Sequence, residues 1–382
     1  MAHAYTPGLR VTGHAVIRRE RRLPLKGEVL ARIGDAVDAD TVVARTELPG
    51  NVQTINVASR LALDPARVPD SLVAPVGSAV AKGDAIAEGK SLFGLMKQRV
   101  EAPVAGTIES VSPVTGQVIL REAPIPVEVH AYVRGTVAEV IEGEGVVVEA
   151  VGALIQGIFG VGGETFGPLR IAAAAPDEEL AAARLSAEHR GAVVVGGSYV
   201  SYATLMRARE LGVAAVVVGG FDDGGLKRLL GRDLGVAITG AEDLGLTLVL
   251  TEGFGRIRMA DRTWRLLAAH EGRQASVSGA TQIRAGVLRP EIVIPGVGER
   301  SGDATSVGRR ETASDGGAGI EIGSLLRVIR EPFFGRIGRV TALPAELQPL
   351  ETEARVRVME VEFADDGARA IVPRANVERI ED

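Results

Sequence analysis

The strongest constraint on the fold is a repeated pattern of alternating residues and turn glycines. Residues 102–118 read APVAGTIESVSPVTGQV, and residues 131–147 read AYVRGTVAEVIEGEGVV. The two segments share their apolar alternation and have glycine at the same two places, Gly106 and Gly135 first, then Gly116 and Gly145. Because alternation with a period of two is typical of strands and glycine of tight turns, the pattern predicts two copies of one strand-turn-strand unit.

Length and hydrophobic content indicate a folded chain of more than one domain. The chain has 382 residues, 46% of them hydrophobic, which is enough for two or three domains with apolar cores. Apolar runs such as 213–218 have the length of a strand and fall short of the roughly 20 residues that span a bilayer. Residues 1–9 lack the basic and apolar segments of a secretory signal. We therefore expect a cytoplasmic protein without a membrane span.

Several classes of chemistry are excluded or disfavoured by composition. The chain contains no cysteine, which excludes disulfides, thiolate metal sites and cysteine nucleophiles. Its five histidines stand singly, without the spacing of a metal site, so we expect no metal. The net charge of −6 argues against a protein that coats DNA.

Two further segments place a Gly-Asp pair at a turn between short strands. They read GEVLARIGDAV at 27–37 and VGSAVAKGDAIA at 76–87. Followed by the APVAGTI phrase at 102–108, they resemble the biotinyl/lipoyl-like barrel-sandwich hybrid over residues 23–152. The resemblance implies a small β domain, which in some members carries a cofactor and in others serves as a structural or docking module.

The cofactor-carrying members attach biotin or lipoate to a lysine at a hairpin tip, often after methionine, and Lys97 follows Met96. Lys97 stands five residues before Ala102, however, where a carrier would have about seven. Biotinylation or lipoylation of Lys97 is therefore disfavoured. We expect no cofactor and a non-carrier type of hybrid.

A short basic run, RRERR at 18–22, precedes this region. One interpretation is a surface for phosphates or for an acidic partner. The favoured interpretation is a solvated strand edge whose charges prevent aggregation.

The central region alternates helices and strands. Residues 177–189 have the acidic start and apolar spacing of a helix. A buried strand at 192–195 is followed by a helix that Ser198 can cap, and then by a second strand at 215–218. Further along, 246–251 predicts a strand and 261–269 a helix. A strand-helix-strand order predicts a parallel sheet, and hence a Rossmann-like α/β domain.

Ligands of open parallel sheets bind at the carboxyl ends of the strands, where loops and helix N-termini meet. If this sheet has a ligand loop, its residues are Gly196, Gly197, Ser198, Gly219, Gly220, Asp222, Asp223, Thr251 and Glu252. The favoured alternative is that these glycines only let helices turn tightly onto the sheet, because the set contains no base, nucleophile or cationic clamp in a recognisable arrangement. We name no catalytic residue.

The C-terminal segment GSLLRVIREPFFGRIGRV at 323–340 combines a strand, an aromatic turn closed by glycine and a Gly-x-Val return. It resembles the KOW motif of small SH3-like barrels in transcription-elongation and ribosomal proteins. The resemblance implies binding to RNA or to a protein of those machineries. The residues that would bind are Arg327, Arg330, Phe333, Phe334, Arg336 and Arg339. Nine arginines against twelve acidic residues from 321 to the end weaken the RNA interpretation.

The sequence as a whole predicts a multi-domain β and α/β protein. The expected units are a barrel-sandwich hybrid (1–155), a Rossmann-like α/β domain (156–300), a linker (301–320) and a KOW-like barrel (321–382). Two docking-type modules favour a non-enzymatic scaffold or adaptor in a larger cytoplasmic assembly, with a protein partner or self-association. An RNA- or ribosome-associated factor, and a ligand-binding protein or enzyme that uses the central domain, remain as alternatives.

Overall fold

The computed structural model describes residues 9–90, 97–231, 244–281, 288–296, 320–328, 332–333, 336–344, 346–349, 355–364 and 366–379. These residues form a β-rich fold of several sheets with few helices. The predicted linker, apart from Ile320, lies outside the described residues. Within the described ranges no helix combines the length and apolarity needed to cross a membrane.

Strands dominate all three regions of the chain, and the helices are short. The N-terminal strands are β1 (Val11–Arg22), β2 (Glu28–Val29), β3 (Ala36–Val37), β4 (Val42–Leu48), β5 (Val52–Asn56), β6 (Ala79–Val80), β7 (Ala85–Lys90), β8 (Lys97–Glu101), β9 (Gly106–Val111), β10 (Gln117–Arg121), β11 (Ile125–His130), β12 (Gly135–Ile141) and β13 (Gly145–Gln156). The central strands are β14 (Phe159–Val161), β15 (Glu164–Ile171), β16 (Glu179–Leu180), β17 (Val193–Val195), β18 (Tyr199–Val200), β19 (Ala215–Phe221), β20 (Thr247–Phe254), β21 (Gln274–Ser278) and β22 (Glu291–Pro295). The C-terminal strands are β23 (Leu325–Val328), β24 (Ile337–Ala342), β25 (Leu347–Pro349), β26 (Arg355–Phe363), β27 (Arg369–Pro373) and β28 (Val377–Arg379). The α-helices are α1 (Val57–Leu61), α2 (Val68–Ser71), α3 (Tyr202–Leu211), α4 (Asp223–Leu230) and α5 (Asp261–Ala268).

The repeated sequence folds into two equivalent hairpins, as predicted. β9 pairs antiparallel with β10, and β12 pairs antiparallel with β13. The first strand of each hairpin also pairs with a two-residue strand, β6 in the first copy and β3 in the second. Gly77 and Gly34 lie in equivalent turns and both have a φ of +91°, a conformation that glycine adopts without strain. The two copies therefore share their pairing as well as their sequence.

The second copy differs from the first because β13 continues beyond its hairpin. Its later residues pair with β22 of the central sheet, from Gly152 opposite Pro295 to Gln156 opposite Glu291. On its other side β13 pairs with β1 along almost its whole length. The N-terminal hairpin and the central strands thus belong to one sheet, which has thirteen strands among the described residues.

The centre of this sheet is parallel, as the strand-helix-strand order predicts. β15, β17, β19 and β20 are successive parallel neighbours. Alternate side chains of these strands are buried on opposite faces. Val194 and Val216 pack into one apolar cluster, whereas Val193 and Val217 pack into the other. Because apolar clusters cover both faces of the sheet, the sequences of these strands are continuous apolar runs.

Two helix predictions need correction, and one is confirmed. The segment 177–189 is not a helix: it contains β16 and two 3-10 turns, Ala182–Arg184 and Ala187–His189. Pairing of β16 with β18 and burial of Leu180 and Leu185 against the central core outweigh the helical spacing. Helix α3 is capped by Ser201, whose Oγ accepts from the Thr204 N–H, and not by Ser198. Helix α5 forms where it is predicted.

The C-terminal residues form a separate six-stranded sheet. Its order is β25-β26-β24-β23-β28, and β27 pairs with β26. Alternate apolar residues of β26 and neighbouring strands fill a small core that includes Leu326, Val361 and Phe363. The predicted strands at 356–363 and 370–372 are both present.

Candidate functional site

The carboxyl ends of the parallel strands bring the predicted ligand-loop residues together. Gly196, Gly197 and Ser198 follow β17, Gly219 and Gly220 lie near the end of β19, and Thr251 and Glu252 lie in β20. Asp222 caps α4, which starts directly after β19. The side chain of Asp223 lies outside the described part of the chain.

Backbone of the same chain lies directly against three of the glycines at these strand ends. A Cβ at Gly219 would overlap the carbonyl oxygen of Ile257, and one at Gly220 would overlap that of Gly255. A Cβ at Gly197 would overlap the carbonyls of Ala175 and Glu178. We call residues 175–178 and 255–259 the covering segments. The glycines are thus required for close approach, as expected for such positions, and the group that approaches is the protein backbone.

The hydroxyl groups at the strand ends are bonded within the chain. Ser198 Oγ donates to the carbonyl oxygen of Asp177 at 2.8 Å, and the Ser198 N–H donates to the carbonyl of Glu178 at 2.8 Å. Thr251 Oγ1 donates to the Val218 carbonyl at 3.3 Å. These side chains hold the first covering segment and β19 in place.

Asp222 takes part in a polar cluster at the same end of the sheet. Its Oδ1 accepts from the Gly225 N–H at 2.6 Å, and its Oδ2 accepts from the Tyr199 hydroxyl at 2.7 Å. Partial burial alone would raise the pKa of Asp222, but these two hydrogen bonds, together with a hydrogen bond to its own backbone and the charge of Arg228, outweigh it and lower that pKa. Burial, with the bond to Asp222, raises the pKa of Tyr199 to about 12. The Arg256 guanidinium lies 4.3 Å from the centre of the Tyr199 ring and covers it.

Glu252 joins this site to the C-terminal sheet. Its Oε1 accepts from the Ala260 N–H at 3.0 Å, and its Oε2 accepts from Arg327 Nη2 at 2.8 Å. Both side chains are almost completely buried, with 9% of Glu252 and 3% of Arg327 exposed. Since Glu252 lies in β20 and Arg327 in β23, one buried ion pair fastens the C-terminal sheet to the carboxyl end of the parallel sheet.

Two of the other C-terminal residues predicted to bind RNA or a partner, Phe333 and Arg336, meet at the ring of Phe363. Phe333 packs on Phe363, with ring centres 5.1 Å apart. Arg336 donates to Asp366 Oδ1 at 2.6 Å and lies 3.8 Å from the centre of the Phe363 ring. Arg339 is exposed and donates to the Gly323 carbonyl at 3.2 Å. Arg330 and Phe334, which belong to the same prediction, lie outside the described residues.

The lysine considered for cofactor attachment is the first residue of β8. Its backbone pairs with Lys90 at the end of β7, and its side chain lies outside the described part of the chain. Among the residues that are described, no group of three or more His, Asp or Glu side chains is placed to hold a metal ion.

A surface groove that the sequence does not predict lies where the second hairpin meets the central sheet. Two openings with volumes of about 210 and 400 Å³ share Arg134 and Pro295 in their walls, and we call them together the Arg134 groove. The half-exposed ring of Phe166 lies in the first opening, and Arg273 lies in the second. Arg134 is paired with Asp38 at 3.3 Å on the exposed surface.

A second feature near this groove is a charged network around Tyr132. Tyr132 has a φ of +68°, is buried, and donates to Glu291 Oε1 at 3.4 Å. Arg19 Nε donates to the same oxygen at 2.6 Å, while Arg21 pairs with Glu164 at 2.7 Å. Burial and the charge of Glu291 raise the pKa of Tyr132 well above its usual value. The network links β1 to β15 and β22.

The rest of the basic run is also paired within the chain. Arg18 lies 3.7 Å from both Glu139 and Glu149, and Arg22 pairs with Glu20 and Glu144. The run lies in β1, in agreement with its interpretation as a charged strand.

Two positions at which the copies of the repeat differ contribute to the network and the groove. Where the first copy has Pro103 and Ala105, the second has Tyr132 and Arg134. No protein-family model and no curated protein matches the chain.

Proposed function

We propose that the chain is a non-enzymatic scaffold or adaptor that docks into a larger cytoplasmic assembly. The proposal rests on the contacts made at the carboxyl ends of the parallel strands, where a ligand of such a sheet would bind. Backbone of the covering segments lies against Gly197, Gly219 and Gly220, and Glu252 is bonded to Arg327 of the C-terminal sheet. Polar groups at this end therefore connect parts of the chain to each other.

The modules we propose are a non-carrier barrel-sandwich hybrid, a Rossmann-like α/β domain and a KOW-like SH3-type barrel. The paired hairpins with their equivalent glycine turns support the first. The four parallel strands with α3 and α4 between them support the second. The antiparallel six-stranded sheet supports the third. Hybrids and barrels of these types are used for docking in other proteins, which is an argument by analogy of fold.

The Arg134 groove is the docking surface that we propose for the protein partner. Small-molecule pockets usually have about 300–1,000 Å³ and enclose most of the ligand. The larger opening, of about 400 Å³, falls within that range and the smaller, of about 210 Å³, falls below it, but both are open to solvent, which suits a protruding segment of a partner protein better than an enclosed ligand. The Phe166 ring offers apolar contact, and Arg134 and Arg273 offer donors.

The RNA alternative depends on residues that have other roles in the fold. Arg327 is buried in its pair with Glu252, and Arg336 is held between Asp366 and the Phe363 ring. A buried guanidinium cannot neutralise a phosphate unless it first leaves its carboxylate, which is costly. Arg327 and Arg336 thus support contacts within the chain better than nucleic-acid binding, whereas Arg339 is exposed.

The test compares tagged full-length chains in cells of the native source. We expect the wild-type chain to sediment, in mild salt, in an assembly larger than any that the purified protein forms alone, and to recover the same partner repeatedly. Arg134→Glu and Phe166→Ala should each release that partner. Arg207→Glu, an exposed charge reversal on α3, is the matched control. A wild-type chain that sediments only as the purified protein does contradicts the proposal.

A thermal-shift screen separates the scaffold from a ligand-binding protein. Nucleotides and sugar phosphates at millimolar concentration are expected to leave the melting temperature unchanged, because a ligand that binds only the folded state must raise it. A concentration-dependent rise that is lost in Asp222→Asn would instead favour the ligand-binding alternative.

A further inference from the structure

In the part of the chain that the structure describes, no strand pairs with the outer edge of β1. This strand is 12 residues long, and among the described residues it pairs only with β13. Long edge strands present a row of free backbone donors and acceptors, which other strands can recognise. This edge is therefore a candidate surface for adding a strand from a second molecule.

The hydrogen-bond pattern identifies the backbone groups that face outward. The Leu23 N–H donates to the Glu144 carbonyl at 2.7 Å, and the register continues without a shift from Arg22 opposite Gly145 to Ala15 opposite Gly152. In an antiparallel pair every second residue bonds to the partner strand. The odd-numbered residues from 15 to 21 thus bond to β13. The N–H and C=O groups that point away belong to Val16, Arg18, Glu20 and Arg22. One of them, the Arg18 carbonyl, accepts from Arg19 Nη1 at 2.8 Å, a hydrogen bond on the exposed surface that an added strand would have to replace or share.

The side chains of the same four residues are exposed on one face of the sheet. Val16, an apolar side chain, has 60% of its surface exposed. The ion pairs that Arg18 makes with Glu139 and Glu149 measure 3.7 Å, with all three side chains largely exposed. Exposed pairs of this kind contribute little, so Arg18 can exchange them for another carboxylate.

We propose that a second copy of this chain pairs antiparallel with β1 along this edge, about a two-fold axis at Arg19. In this register Arg18 lies opposite Glu20 of the second copy, and Glu20 lies opposite its Arg18. Arg19 lies opposite Arg19 of the second copy on the axis, where Glu291 of the same copy balances the charge of each guanidinium. Val16 lies opposite the aliphatic part of Arg22. Four outward residues on each strand give about eight interstrand hydrogen bonds, two for each opposed pair.

Charge selects this register over its neighbours. A shift by two residues in one direction places Arg18 opposite Arg18, and a shift in the other direction places Glu20 opposite Glu20. Like charges directly opposite each other are destabilising, whereas opposite charges stabilise a strand pair. The order of positive and negative charges in residues 18–22 therefore disfavours pairing with an unrelated strand and is complementary to a second copy. Such pairing gives a closed two-fold dimer.

The dimer does not depend on the proposed scaffold function, because it is measured on the purified chain alone. We expect sedimentation velocity over increasing concentration to show a monomer–dimer equilibrium. Arg18→Glu and Glu20→Arg should each weaken the dimer about tenfold or more, since each places like charges opposite each other twice. The double variant restores opposite charges and should dimerise like the wild type.

The matched control is Arg45→Glu, which reverses an exposed strand arginine that pairs with Glu28 away from this edge. It should leave the dimer unchanged. Amide hydrogen exchange gives a readout without substitution, because the N–H groups of Val16, Arg18, Glu20 and Arg22 should become protected as the concentration rises. A chain that stays monomeric up to about 100 µM overturns the proposal, as does a dimer that neither single charge reversal weakens.

Discussion

Replacing Glu252 by glutamine removes the negative charge that faces Arg327 while keeping the shape of the side chain. The carbonyl of the new amide side chain can still accept from the Ala260 N–H. Its NH₂ group then faces the guanidinium, so two hydrogen-bond donors meet without an acceptor. Arg327 has 3% of its side chain exposed, so water cannot replace the lost carboxylate. Removing one partner of a buried pair typically costs about 3–5 kcal/mol. Because this pair joins the two sheets, the loss should appear mainly as release of the C-terminal sheet.

Two measurements show how much unfolding free energy is lost and which part of the structure is released. Guanidinium denaturation gives the free energy of unfolding, and hydrogen exchange shows whether the amides of β23 lose protection before those of β19. Glu179→Gln is the control: it breaks the exposed pair with Arg256 and should cost less than about 1 kcal/mol. Adding Arg327→Met to Glu252→Gln removes the buried positive charge as well and should recover most of the loss. If Glu252→Gln costs no more than the control and β23 stays protected, the reasoning is refuted.

Three other substitutions test the site and the repeat. Because the folded pKa of Tyr199 is about 12, above the ordinary value of 10, its protonated hydroxyl contributes stability that is complete below pH 10 and lost as the pH rises from 10 to 12. The difference in unfolding free energy between the wild type and Tyr199→Phe should therefore shrink over that range, and a constant difference would contradict the assignment. Gly219→Ala should cost about 1–3 kcal/mol in chemical denaturation because its Cβ meets the second covering segment, whereas Gly13→Ala, with an ordinary 3.5 Å contact, should be nearly neutral. Asp35→Ala removes the 2.8 Å hydrogen bond from the Arg32 N–H in the repeated turn and should cost about 1 kcal/mol by the same assay. If Gly219→Ala and Gly13→Ala lose the same unfolding free energy, the close approach at Gly219 does not stabilise the fold. If Asp35→Ala loses none, the Arg32–Asp35 hydrogen bond does not stabilise it either.

Local patterns in the sequence predict the strands and their order well. The hairpins at Gly106 and Gly135 follow from alternation and turn glycines, which depend on residues close together in the chain. The parallel pairing of β17 with β19 follows from a strand, a short helix and a strand in succession. The helix expected at 177–189 fails for a tertiary reason, since β16 pairs with β18 and becomes part of the cover over Gly197.

The candidate site shows which contacts local sequence patterns do not predict. Gly197, Gly219 and Gly220 can be read from the sequence as places of close approach, yet the sequence pattern does not say whether a ligand or the chain itself approaches. Likewise, nothing local pairs Glu252 with Arg327, which are 75 residues apart in the chain. By itself the sequence determined a β-rich chain with a duplicated hairpin and a parallel central region, because periodicity and turn chemistry act over a few residues. Only the tertiary structure decided what fills the ends of the parallel strands and which charges are buried together, because those contacts depend on how distant segments pack.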